Sequence, residues 1–222
     1  MTRIGILAAF YGELKPLVRT WQRRGPLWIG RLGSCDAVAG CAGMGSAAVI
    51  RACEQVLASG PVDALISIGY AGSLSCGLKP PVACAVREVI DAANGERFAT
   101  SEPDGQRLVT LDHVADTSEK RSLAAEYQAV LIDMEAAAVA RVARAYNLGF
   151  SCFKAVTDGP NDQLPDFNRF TGPDGQLRLP SLVAYAAIHP RTWAPLRRLG
   201  KNSQLAAVEL ANFLSQRFAA SQ

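Results

Sequence analysis

The stretch Ala129-Val-Leu-Ile-Asp-Met-Glu-Ala-Ala-Ala-Val-Ala140, continued by Phe150-Ser-Cys-Phe-Lys-Ala-Val-Thr-Asp158, decides how this chain is read. Val130, Leu131 and Ile132 form an apolar run too short to be a helix alone. The Ala-rich run from Glu135 to Tyr146 has strong helix propensity, and Asn147-Leu-Gly149 supplies its stop. Phe150 to Val156 reads as a second strand, halted at Thr157-Asp158-Gly159-Pro160. Strand, crossover helix and strand in so few residues predict two parallel strands. Ligands of such sheets collect beyond the carboxyl ends of the strands. Glu135 and Asp158 are therefore expected to face one crevice.

The remaining chain fits around this unit. Its 222 residues suffice for one α/β domain spanning 1–222. A hydrophobic fraction of 49% against 19% charged residues excludes a disordered chain. A net charge of +3 is too small to imply nucleic acid without a concentrated patch. No apolar run is long enough to predict a transmembrane helix. Thr2-Arg3 leads directly into Ile4-Gly-Ile-Leu-Ala8, with no apolar run and cleavage site before it, so no signal peptide is expected. Cys35, Cys41, Cys53, Cys76, Cys84 and Cys152 form no C-x-x-C pair. They read as buried, reduced thiols of a cytoplasmic protein. Histidine occurs only at positions 113 and 189, so no metal site is expected, and no other cofactor is.

Pattern and turn signals place strands near 3–9, 27–31, 35–41, 63–68, 82–90, 107–111, 129–133 and 150–156. Helices are expected near 12–23, 45–59, 118–126, 134–147, 180–188 and 193–217. Gly33-Ser34 marks a hairpin. The polar stretches Asp91–Gln106 and Gly159–Gln176 read as long loops, which are more often functional than idle. The sum is a mixed sheet with helices on both faces.

Several clusters could carry chemistry. Glu13 opens the first helix, where it either stabilises the helix dipole or serves as a base at the mouth of the sheet. Cys41-Ala-Gly-Met-Gly45 leads a strand through Gly-x-Gly into a helix. It is a tight turn, an anion or water site, or a dinucleotide turn with Asp63 as the ribose-binding acid. Ile66-Ser-Ile-Gly-Tyr-Ala-Gly72 reads as a strand ending in a glycine turn, where the backbone of Tyr70, Ala71 and Gly72 could approach a ligand closely, and Tyr70 either packs as a half-buried aromatic or covers a sugar or base. Glu135 and Asp158 could separately be a cap-region charge and a turn former. With Glu13 they make three titratable groups at one sheet edge, the mark of an active site. Lys154 lies in the last strand on the same face as Asp158. A lysine in an apolar strand needs a partner, and Glu13 is the expected one. His113 follows a strand, as a surface residue or a site residue.

Taken in order, Ile4-Gly-Ile-Leu-Ala-Ala-Phe-Tyr-Gly-Glu13, Gly43-Met-Gly45, Ser67-Ile-Gly-Tyr-Ala-Gly72, Asp133-Met-Glu-Ala136 and Ala155-Val-Thr-Asp158 resemble the nucleoside phosphorylase/nucleosidase superfamily. The nearest likeness is to the 5′-methylthioadenosine/S-adenosylhomocysteine nucleosidases. The tail from Asp174-Gly-Gln to His189-Pro-Arg-Thr-Trp-Ala-Pro-Leu-Arg-Arg-Leu-Gly200 looks more like the hopanoid-associated phosphorylases. The resemblance implies a three-layer αβα sandwich with a central mixed, mostly parallel twisted sheet, a homodimer, and cleavage of a purine N-glycosidic bond. By the same resemblance Glu135 holds the ribose hydroxyls and Met134 packs under the sugar. Glu13 holds the attacking water, Lys154 supports that glutamate, and Asp158 faces purine N7. Val114 and Ala115 line the base, with Gly45, His113 and Thr157 counted among the substrate-binding positions. Phosphorylases of this family carry an arginine before the glycine turn, and Ser67-Ile-Gly69 has none, which favours water over phosphate. Val114 replaces the base-stacking aromatic, and Tyr70 stands where nucleosidases are small.

The expected function is hydrolysis of a purine nucleoside of adenine type. The alternatives are phosphorolysis of an adenosylated hopanoid or other 5′-substituted adenosine, a nucleoside-binding module without turnover, and a nicotinamide-dependent oxidoreductase. The expected partner is a small nucleoside. Arg191, Arg197, Arg198 and Lys201 near Trp193 either meet a membrane surface or form a solvated face.

Overall fold

Apolar runs too short and too β-branched for helices dominate the first two-thirds of the chain, and they assemble into one sheet. The computed structural model describes residues 2–162, 164, 167–170, 172, 178, 181, 182, 185 and 188–219. Its strands are β1 (Arg3–Ala8), β2 (Gln22–Arg24), β3 (Leu27–Leu32), β4 (Cys35–Cys41), β5 (Ala64–Ser73), β6 (Ala83–Asp91), β7 (Arg97–Ala99), β8 (Gln106–Thr110), β9 (Leu131–Asp133) and β10 (Gly149–Asp158). Helices are α1 (Tyr11–Leu14), α2 (Ser46–Ala58), α3 (Thr117–Tyr127), α4 (Ala136–Ala145) and α5 (Trp193–Ala219). The expected helix at 180–188 falls largely outside the described residues.

The strand order is β10-β6-β8-β9-β5-β1-β4-β3-β2, with β7 on β6 and a further pairing between β10 and β5. That last pairing closes β5, β9, β8, β6 and β10 on themselves. β5 is the axis of the site. β10 runs parallel along one of its edges from Ala64 to Gly72. On the other edge β1 pairs with Ala64–Ser67 and β9 with Gly72–Ser73. Between those two partners no described strand lies on this edge of β5.

β5 is buried on both faces, and its side chains divide between two cores. Leu65 faces α2 and α4, whose Val49, Ala52, Val56, Val139 and Ala143 pack against it in one cluster. Ile66 and Ile68 face the other way, toward Leu14, Leu210 and Leu214. α2 buries Val49, Ala52, Cys53 and Val56, the spacing of one helical stripe. α5 turns Ala206, Ala207, Leu210, Ala211 and Leu214 inward, and Phe213 and Phe218 pack on Phe153 of β10 with ring centroids about 6 Å apart. Each fully buried Leu or Phe contributes about 1.5–3 kcal/mol.

Several expectations change. β9 and β10 are not parallel. β9 runs antiparallel to β5 while β10 runs parallel to it, so α4 links two strands of opposite direction that do not pair. The short β9 takes its direction from β5 and β8 rather than from the helix that follows it. Among the described strands, antiparallel pairs are as many as parallel ones, so the sheet is evenly mixed rather than mostly parallel. The first helix covers only Tyr11–Leu14. Pro16 has no N–H to continue it, and the chain turns into β2 instead of reaching residue 23 as a helix. Gly69-Tyr-Ala-Gly72 is not a turn but the continuation of β5. Inside the stretch read as a polar loop, β7 forms a hairpin with β6. Cys53 and Cys152 are buried, but Cys76 is exposed.

Candidate active site

Glu13 enters where the edge of β5 lacks a strand. α1 begins immediately after β1, and its carboxylate folds back. Oε2 accepts the N–H groups of Ala9 and Phe10, both at 2.9 Å, and Oε1 accepts the N–H of Tyr70 at 2.9 Å. The Tyr70 N–H is thus satisfied by a side chain where a neighbouring strand would otherwise serve. Gly69 makes room for it. A Cβ there would stand 2.8 Å from Oε1, and its φ of +143° suits only glycine. Burial raises the Glu13 pKa, against the backbone N–H groups of Phe10, Tyr70 and Ala9 and the charge of Lys154, which lower it.

Glu135 stands at the start of α4, and its Oε1 accepts the N–H of Gly45 at 2.7 Å. The Gly-x-Gly turn therefore gives its N–H to the chain's own carboxylate. This answers the dinucleotide reading, because the anion at the start of α2 is internal. Asp63 sits at the opposite sheet edge, where it accepts the N–H of Arg3 at 2.7 Å, too remote to be a ribose-binding partner of Gly45. Burial and the charge of Asp133 push the Glu135 pKa up to about 7, with Lys154 and the Gly45 N–H opposing.

Lys154 does not bind Glu13. Its ammonium lies 2.8 Å from Oδ2 of Asp133 and 3.2 Å from Ser67 Oγ. Asp133 also accepts from Thr110 Oγ1 at 2.7 Å and from the Ala136 N–H at 2.9 Å. β9 brings Asp133 to the strand end beside Lys154, whereas the carboxylate of Glu13 is already taken up by three backbone donors. Burial opposes the lysine's charge, but Asp133 and Glu135 outweigh it and raise the pKa above that of an ordinary lysine. Lys154 stands behind the pocket wall rather than in it.

One pocket is lined by Glu13, Glu135, Asp158, Met134, Tyr70, Ala71, Gly72, His113, Val114, Ala115 and Thr157. Gly45 and Lys154 belong to its supports, Gly45 through Glu135 and Lys154 through Asp133. Ala9, Phe10, Met44, Lys120, Ile132, Asp133 and Leu164 complete the lining. Gly72 lets Asp158 close in, since a Cβ at Gly72 would lie 3.0 Å from Oδ2. Asp158 accepts Thr157 Oγ1 at 2.9 Å on Oδ1 and the Lys120 ammonium at 2.6 Å on Oδ2. Sequence reasoning missed Lys120. It lies on α3 among exposed polar residues, a pattern that reads as a solvated face, and yet it is only 3% exposed. His113 bridges Asp112 at 2.7 Å and Glu119 at 2.9 Å, and these carboxylates raise its pKa.

No group of three metal-ligating side chains occurs among the described residues, and no helix among them is long and apolar enough to cross a membrane. Of the basic residues near Trp193, Arg198 is engaged by Asp162 at 2.6 Å. The Arg191 side chain and much of the tail beginning at Asp174 lie outside the described residues.

The family model described as "Phosphorylase superfamily" matches residues 3–116 and 104–184. The chain belongs to that superfamily. Its fold is similar to that of the 5′-methylthioadenosine/S-adenosylhomocysteine nucleosidase from S. pneumoniae with the transition-state inhibitor MT-ImmA, at TM-score 0.74 and 17% identity over 100% of both chains. The Helicobacter pylori enzyme of the same name gives TM-score 0.71 and 16% identity, over 100% of this chain and 99% of that one. H. pylori futalosine hydrolase gives TM-score 0.71 and 16% identity, over 100% of this chain and 98% of that one. No curated protein shows significant sequence similarity to the chain. At these identities the structural likeness speaks for the fold of this superfamily member.

Proposed function

We propose that the protein hydrolyses the N-glycosidic bond of a purine nucleoside. The observation that carries this reading is the meeting of Glu13, Glu135 and Asp158 in one pocket, with Glu13 against Gly69 of β5 and Asp158 against Gly72. Breaking C1′–N9 builds positive charge on the ribose and negative charge on the base. Glu135, its Oε1 tied to Gly45, presents its other oxygen to the ribose hydroxyls over Met134, and its charge supports an oxocarbenium-like sugar. Glu13 accepts the proton of a water whose oxygen bonds to C1′. The bond's electron pair passes to the purine, and N7 is protonated at Asp158. Fixed charges of this kind act without reorganisation as the transition state forms. The supporting likenesses are the nucleosidases and the futalosine hydrolase that share the fold.

Water rather than phosphate is favoured by the interior behind Gly69. A buried carboxylate fills it, and Ser67 spends its hydroxyl on Lys154. An adenine base, a 5′-substituted or adenosylated-lipid substrate, and a homodimer remain parts of the same proposal, drawn from the sequence resemblance. The test is incubation with adenosine, 5′-methylthioadenosine and an adenosylated lipid, with and without phosphate, while free base and free ribose are followed. Free base without phosphate is expected. Asp158→Asn should slow its release by at least about a hundredfold, the lower range for loss of a general acid. Equal rates for the two proteins would refute the role of Asp158. Base release only with phosphate would replace hydrolysis by phosphorolysis.

A further inference from the structure

We infer that Lys120 holds the proton that the departing base takes up, with Asp158 as the bridge it crosses. The inference rests on the nucleosidase reading above. Both oxygens of Asp158 already accept, Oδ1 from Thr157 and Oδ2 from the Lys120 ammonium at 2.6 Å. In that geometry both carboxylate oxygens act as acceptors, and neither turns a proton toward the pocket. Lys120 has one at hydrogen-bond distance. A lysine almost fully withdrawn from solvent is rare without a purpose for its charge. Lys120 is buried on α3 together with Leu123, and its second acceptor is the Gly159 carbonyl at 3.0 Å.

The neighbouring charges do not offer the same service. His113 is occupied by Asp112 and Glu119. Asp162 accepts the Gly159 N–H and pairs with Arg198. Lys154 is committed to Asp133 at the sugar end. As C1′–N9 breaks, its electron pair enters the purine ring and N7 becomes basic. N7 gains a proton through the Asp158 carboxyl, an N–H bond of Lys120 breaks, and Lys120 is left as a neutral amine. Solvent reprotonates it once the base departs. Lys120 acts through Asp158 and is a positioning residue.

The wild-type protein is assayed from about pH 5 to about pH 9 on a purine nucleoside and on 4-nitrophenyl riboside, whose phenolate leaves without a proton. The ratio of purine to phenolate release should stay flat to about pH 8, because a lysine supplies the proton. A ratio falling about tenfold per pH unit from the ordinary carboxylic range upward overturns the inference. Lys120→Met should lower purine release about a hundredfold at pH 8 and leave phenolate release within about threefold. Lys120→Arg restores the charge but cannot surrender a proton, so it should be as slow as Lys120→Met. Recovery of purine release in Lys120→Arg overturns the inference. If both variants lose phenolate release through misfolding, the wild-type ratio decides. If the wild type cleaves the phenyl riboside but no purine nucleoside, the Lys120 role falls and the sugar-side reading stands. If it cleaves neither, both fall.

Discussion

The two ends of the pocket are built differently. At the end the proposal gives to the sugar, Glu13 and Glu135 are fixed by backbone N–H groups of Ala9, Phe10, Tyr70 and Gly45, with the Asp133–Lys154 ion pair close by. At the end the proposal gives to the base, Asp158 is fixed by side chains, Thr157 beside it and Lys120 reaching in from α3. Backbone donors are part of the fold and change only if the fold changes. Side-chain donors can be exchanged by single substitutions. The contrast sets two carboxylates at the starts of helices α1 and α4, held by backbone, against one at the end of strand β10, held by side chains.

The largest break in this comparison is expected at Lys154. Lys154→Met leaves Asp133 charged, buried and short of its cation, and it should cost about 3–5 kcal/mol of stability, read from the denaturation midpoint at unchanged slope. A loss below about 1 kcal/mol would mean that the sugar end does not depend on this ion pair. Glu135 gives an intermediate effect with a pH signature. Its folded pKa, raised to about 7 by burial and Asp133, lies above the unfolded carboxylate value. The folded state therefore binds the extra proton, and stability falls as pH rises from about 4.5 to about 7. Glu135→Gln should flatten that fall, a difference on the order of 1–3 kcal/mol across the window. Parallel stability curves for the two proteins would contradict the raised pKa. The smallest effect belongs to the base end. The His113 pKa is raised by Asp112 and Glu119, so its contribution is complete below about pH 6.5 and fades as pH rises through the folded value. The side chain is 42% exposed, and solvent screening limits the loss in His113→Gln to a few tenths of a kcal/mol at about pH 5.5, and to nothing near pH 9. Thermal midpoints at the two pH values check it.

The same division explains what was legible in the sequence. Asp133-Met-Glu135, Glu13 and Asp158 are local signals at strand ends, and the structure places them around one pocket. The direction of β9 was not legible, because three residues cannot record that their partners are β5 and β8. The partner of Lys154 was misread for a related reason. Glu13 is satisfied by Ala9 and Phe10 just before it and by Tyr70 in the folded gap of β5, whereas the sequence gives Asp133 no role of its own. Lys120 left no trace at all. A lysine in a polar helix looks solvated until the tertiary structure tucks it under Asp158.

The interrupted edge of β5 has a lasting consequence. One more rung of pairing from β1, or an earlier start to β9, would tidy the hydrogen-bond ladder and evict Glu13 from its seat at Tyr70. Sheet regularity and the acid's place are mutually exclusive in this architecture. Selection for a stiffer sheet would therefore meet a limit set by two or three residues, and insertions between β1 and α1 should be tolerated least of all.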